Sequence, residues 1–230
     1  MMNDLVIVGA GGLGREVFWV LEEINQCKPT WNFLGFLDNN PRALDGFAGY
    51  GKILGPVEMY RQLNRPHAVC SVGMPEVRWK IVKQMEEYGA RWATLIDPDA
   101  TVGPGSSVGH GCVLRKRAIV TVNAFVGNHV FFGLGAQASH DARIDDYCTL
   151  CGHADVNGGA VLEEGVFLGT HACIMPKVTV GSWSRVGAGT VAIRNVPLDT
   201  TLFGVPGKSI KRPPIAPNRP NIDMLSKEAA

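Results

Sequence analysis

Apolar residues return every six positions from Ile96 to Val191, through sixteen consecutive hexads. The first position of each hexad runs from Ile96, Val102 and Val108 through Phe132, Ala138 and Ile144 to Val180 and Val186, and is always apolar. The fifth runs from Ala100 to Thr190 and holds only Ala, Cys, Ser, Thr or Val. A fixed short period of this kind marks stacked repeats, each unable to bury its apolar side alone. The pattern predicts a hexapeptide β-helix with three short parallel strands per triangular coil. The large residue fills the prism and the small one fits a corner. About five coils at roughly 4.8 Å spacing make a prism on the order of 25 Å long.

The chain before the hexads is patterned differently. Leu5-Val6-Ile7-Val8 reads as a buried parallel strand. A helix from Arg15 to Gln26 follows, with Val17, Val20, Leu21 and Ile24 on one face. Further strands are expected at residues 33–37 and 68–72, a short helix from Pro56 to Leu63, and a helix from Glu76 to Tyr88. Alternating strands and helices predict a small parallel sheet, about half of a dinucleotide-binding fold. After Val191 the hexads stop. Residues 195–200 read as a loop and Phe203 to Lys208 as a tight segment in which Pro206 stiffens the turn and Gly207 takes a positive φ. The division expected is 1–95 for an α/β domain, 96–212 for the β-helix with its closing loop, and 213–230 for an extended, proline-containing tail.

Gly9-x-Gly11-x-x-Gly14 follows a strand and opens a helix, the context that gives the pattern meaning. Free N–H groups and the helix dipole favour a phosphate there. Asp38, at the end of the next strand, is placed to bond hydroxyls. NAD is one reading, but the domain is too short for two mononucleotide halves, which favours a nucleotide or nucleotide sugar. A glycine turn that merely packs is the bland alternative. His140-Asp141 occupies positions three and four of its hexad, on the outside of the prism, and His110, His129, His153 and His171 are expected to face outward as well. A neutral histidine near pH 7 is the usual general base.

A net charge of +1 points away from nucleic acid, and no apolar stretch reaches the ~20 residues of a membrane span. The N-terminus lacks the basic flank of a signal peptide, so a cytoplasmic chain is expected. Six cysteines are read as reduced and structural, because Cys148-x-x-Cys151 has no second pair for zinc. No metal site is expected.

The glycine-rich start, the strand ending at Asp38, Ser71-Val-Gly73 with Arg78 downstream, the hexads, Ser139-His140-Asp141 and Gly204-Val-Pro-Gly-Lys208 occur in that order. Over about residues 4–212 this resembles the bacterial sugar acetyltransferases that include UDP-4-amino-sugar N-acetyltransferases and sialic-acid O-acetyltransferases. The resemblance implies a left-handed β-helix, a homotrimer with active sites between subunits, and acetyl-CoA as acyl donor. It implies His140 as catalytic base with Asp141 as its acidic companion. It implies nucleotide-sugar contacts at Gly11, Gly12, Leu13, Asp38, Asn39 and Gly73, and acetyl-CoA contacts at Thr149, Thr170 and Ala188; the positive charge of Lys208, with Lys211 and Arg212 behind it, is expected where the CoA 3′-phosphate emerges, an ordinary basic surface turn being the alternative. Many relatives carry a second histidine nine residues after the base, where this chain has Thr149; either the thioester is positioned differently or His153 serves. Gly133 and Leu13 also stand where relatives carry Asn and His. The implied activity is acetylation of an amino or hydroxyl group on a nucleotide-linked sugar. O-acetylation of a sialic-acid-like sugar and a non-catalytic sugar-binding trimer are the alternatives.

Overall fold

A computed structural model describes residues 2–212; the expected tail, 213–230, lies outside the described residues. Strands β1 (Asn3–Val8), β2 (Trp31–Leu37), β3 (Ile53–Gly55), β4 (His67–Cys70) and β5 (Arg91–Trp92) form a parallel sheet in the order β3-β2-β1-β4-β5. The run Leu5 to Val8 takes the central strand and is fully buried, as a continuous apolar strand covered on both faces must be. Helix α1 (Gly12–Cys27) buries Val17, Phe18, Val20 and Leu21, and helix α2 (Pro75–Glu87) buries Val82 and Met85. β3 was not expected: Ile53-Leu54 between glycines is too short to show a period. The segment after Pro56 is a 3-10 helix over Val57–Gln62.

Two-residue strands then run from Leu95–Ile96 to Val191–Ala192, each paired in parallel with strands eighteen residues away. They make three faces. The first starts at Leu95–Ile96, the second at Thr101–Val102 and the third at Ser107–Val108. First-position residues from Leu114 to Val186 form one core with the small fifth-position residues. Ile96 and Val102 are each 38% exposed, because no coil lies beneath the first one.

The corners show what reading positions one and five passed over. From Gly105 to Gly189 the fourth residue of every hexad has positive φ, whether it is glycine, Asn123, Asp141 or even Trp183. The fifth-position amide closes the turn onto the second-position carbonyl, as in Ala142 N–H to Ser139 O (3.2 Å). Positive φ at the third residue is what a type II turn demands.

After the prism, Thr200–Phe203 extends the first face in parallel and Lys208–Lys211 folds back on it antiparallel. The expected loop stands over residues 195–199, with a single bridge from Val196 to Val180, and the tight segment is the turn of a β-hairpin. Its left-handed residue is Gly204 (φ +95°), not Gly207. Gly207 is needed for packing instead, since a Cβ there would stand 2.6 Å from the Leu202 side chain.

The α/β part packs on the first face. Val17 and Leu21 of α1 join Leu95, Val113 and Phe131 in one apolar cluster. Arg115 pairs with Glu16 (2.8 Å) and Lys116 with Glu23 (3.2 Å), at the vertex between the first and second faces.

Candidate active site

The glycine turn is built as its spacing suggests. Gly9 has φ +98°, and any side chain on Gly14 would run into the Gly9 carbonyl, so α1 packs tightly beneath β1. α1 starts at Gly12 with Gly11 as N-cap, without a side-chain cap and without an acidic residue in its first turn. This is an end suited to an anion. The Arg15 guanidinium lies 3.6 Å from the centroid of the Phe47 ring, adding a cation beside that end. Gly11 and Gly12 are exposed, and Leu13 is half-buried against the ledge that ends at Gly73.

Asp38 does more than await a hydroxyl. One carboxylate oxygen accepts from Ala10 N–H (2.7 Å) and the other from Asn40 N–H (2.8 Å), with Asn39 exposed between. The carboxylate braces the glycine turn and keeps further lone pairs for a ligand. Loss of such a charge-assisted bond costs about 1.5–3 kcal/mol. Asp38→Ala is therefore expected to raise the sugar KM about ten- to a hundredfold while the acetyl-CoA KM holds. Steady-state kinetics in both substrates check it, and a parallel rise in both values contradicts the separation.

Arg78 was visible in the sequence only as a landmark. Its side chain is fully buried without a carboxylate partner among its hydrogen bonds. Nη1 donates to the carbonyls of Val72 (2.6 Å) and Gly73 (3.2 Å), at the end of β4. Nε donates to His129 O, and Nη2 to Tyr147 O, Cys148 O and the Thr149 hydroxyl, all on the prism. The fork thus bolts the α/β part to the β-helix. Thr149 in turn donates to Gly73 O (2.7 Å) and is 1% exposed. Its expected contact with acetyl-CoA is corrected: the first face is covered there, and the hydroxyl is spent between the two parts.

His129 is likewise not outward. It is 1% exposed, stacked on Tyr147 at 5.3 Å and edge-on to Trp92 and His110. Neither ring nitrogen bonds to a protein atom among the described residues. Burial first, then His110, Arg78 and Lys83, push its pKa down to about 3 from 6.5. The unfolded chain binds this proton below pH 6.5 and the folded chain does not, so stability is intact above pH 6.5 and falls as pH drops toward 3. Between pH 7 and 5 the loss is on the order of 2 kcal/mol. Denaturant unfolding of wild type and His129→Phe is expected to show a smaller acid loss in the variant; equal slopes contradict it.

His140 and Asp141 stand on the vertex between the second and third faces, the one vertex that the first face does not share. Both side chains are open, at 65% and 63% exposed. His140 is second and Asp141 third in the corner turn, and the positive φ of Asp141 (+59°) accompanies a 2.8 Å contact from His140 Nδ1 to Asp141 Oδ2. A carboxylate accepts only, so Nδ1 carries the proton and Nε2 offers its lone pair. This is a base with an oriented tautomer.

The vertex between the first and second faces carries Thr170 and Ala188 in one column, with Gly189 N–H bonded to Thr170 O (2.8 Å). His153 and His171 stack beside it at 5.0 Å. The hairpin turn closes its end: Gly204 N–H reaches the Thr190 hydroxyl (3.0 Å) and Gly207 N–H reaches Val191 O (3.0 Å). Lys208 and Lys211 are exposed on that hairpin. The glycine turn, Asp38 and Gly73 are thus brought together, as are Thr170 and Ala188, with Lys208 on the hairpin that closes their column, and as are His140 and Asp141. The base is not brought to the other two groups within one chain. The thiols offer no competing nucleophile in the core: burial pushes Cys112 up to about 12 and Cys70 up to about 11.

Residues 4–85 match the family model of the PglD N-terminal domain. GDP-perosamine N-acetyltransferase of Escherichia coli O157:H7 is 25% identical over 223 residues, covering 93% of this chain and 99% of that protein. The acetyltransferase domain of PglB from Neisseria gonorrhoeae FA1090, solved with acetyl coenzyme A, superposes with a TM-score of 0.83 at 27% identity, over 91% of this chain and all of that one. PerB from Caulobacter crescentus, solved with CoA and GDP-perosamine, gives 0.80 at 26% identity, over 91% and 98%.

Proposed function

We propose that this chain, which resembles the bacterial sugar acetyltransferases that join a PglD-type domain to a left-handed β-helix, uses acetyl-CoA to acetylate the amine of a nucleotide-linked sugar. The observation that carries the reading is the exposed His140–Asp141 pair, 2.8 Å apart, with Nε2 free to take a proton. The glycine turn with Asp38 and Arg15 supports a nucleotide diphosphate on the α/β part. The column at Thr170 and Ala188, closed by a lysine-bearing hairpin, fits a long anionic acyl carrier lying along the prism. His140 Nε2 removes a proton as the sugar nitrogen attacks the thioester carbonyl. The C–S bond breaks, the thiol leaves protonated, and the product is an amide. A backbone N–H in the groove would hold the oxyanion.

Because the base lies on one vertex and the two binding regions on the α/β part and on another vertex, the reading requires a second copy. A homotrimer satisfies this, with the second vertex of one subunit facing the first vertex of the next in a closed cyclic assembly. With Thr149 closed off, His153 is the imidazole that stands in for the second histidine of relatives. The setting this implies is cytoplasmic synthesis of a surface-glycan precursor. The test is incubation with acetyl-CoA and a panel of UDP-, GDP- and dTDP-linked amino sugars beside their hydroxyl counterparts, following free thiol. Amine-dependent thiol release supports the reading. Binding without release would instead favour a non-catalytic sugar-binding role, and release with hydroxyl sugars alone would make it an O-acetyltransferase.

A further inference from the structure

The imidazole of His140 lies across Gly158, eighteen residues on and one coil further along the same vertex. A Cβ built on Gly158 would stand 2.5 Å from Nε2, 2.6 Å from Cε1 and 3.2 Å from Cδ2. Carbon contacts settle near 3.5–4.0 Å, so this ring position and any side chain at 158 exclude each other. The backbone there is tied between coils by Gly159 N–H to His140 O (2.9 Å) and Asn157 N–H to Ile174 O (3.1 Å). The ring, not the vertex, has to yield.

On the prism three other rings lie over glycines: His129 over Gly111, His153 over Gly135 and Trp183 over Gly165. In each of these the glycine precedes its ring by eighteen residues, so the ring leans back toward the first coil. His140 leans the other way, toward the coils that carry Thr170, Ala188 and the closing hairpin. We propose that Gly158 is a positioning residue for the base. Its missing side chain lets the ring lie forward along the vertex while Nδ1 keeps its bond to Asp141, and so sets the direction in which Nε2 works. The inference rests on His140 being the base. Gly158 is not among the residues with positive φ, so alanine fits its backbone and the lesion is confined to the ring.

The experiment is a double-mutant cycle of Gly158→Ala and His140→Ala, with kcat, both KM values and melting temperature measured for all four proteins. Gly158→Ala is expected to lower kcat about tenfold or more with both KM values held, because a displaced base loses its alignment. In the His140→Ala background the same change is expected to cost nothing further, since the ring through which it acts is gone. Wild-type kcat in Gly158→Ala overturns the inference. An equal loss with and without His140 also overturns it, as does failure of the variant to fold. If His140→Ala itself retains kcat, the base assignment fails; if only Gly158→Ala is silent, the base stands and the positioning role alone is lost.

Discussion

Replacing His140 with alanine is expected to lower kcat by about 10²–10⁴-fold, the usual share of general-base help. The side chain is open and, among the described residues, its hydrogen-bond partner is Asp141, so the fold loses little it depends on. Acetyl-CoA affinity is expected to hold, because Thr170 and Ala188 lie on another vertex and Lys208 on the closing hairpin. An amine attacking a thioester must shed a proton, and without Nε2 only solvent receives it. Asp141→Asn keeps the geometry but no longer supports the imidazolium, and an intermediate loss is expected. A His140→Ala protein with wild-type kcat would move the base to His153.

Arg78→Met carries the largest expected cost in stability, about 3 kcal/mol or more, because it strips donors from buried carbonyls on both sides of the junction. Arg78→Lys does not restore it. A lysine is a point charge and cannot span Gly73, His129 and Tyr147 as the planar fork does. The same lesion loosens the end of β4 beside the glycine turn, so the sugar KM rises more than the acetyl-CoA KM. Denaturant midpoints and the two KM values measure this. A midpoint unchanged in Arg78→Met would mean that the junction is held by the apolar cluster of Val17, Leu21, Val113 and Phe131 alone.

The prism interior was legible because each inward position answers to one local demand repeated along the chain. Leu114, Val120 and Val126 need only be apolar, and Ala118 and Ala124 need only be small. The glycine turn was legible because strand, glycines and helix are contiguous. Arg78 was not, since its partners on the prism lie 51 to 71 residues away and nothing in its own helix marks it for burial. Thr149 and His129 failed as outward residues for the same reason. Their hexad positions do point out of the prism, but the α/β part covers that face, and a period along one segment does not report what packs against it. Gly158 was hidden similarly: its use depends on a ring eighteen residues earlier.

In the proposed assembly one chain supplies the base and a neighbouring copy supplies the binding half. Co-expressing His140→Ala with Asp38→Ala and assaying the mixed assemblies at low sugar concentration tests it most directly. Each variant alone is poorly active. In mixed assemblies a site that pairs His140 of one copy with Asp38 of the next is intact, and about a quarter of sites at equal mixing meet that condition. The account predicts activity well above the average of the two parent variants. Activity that stays at that average would mean every site is built within a single chain, and would contradict it.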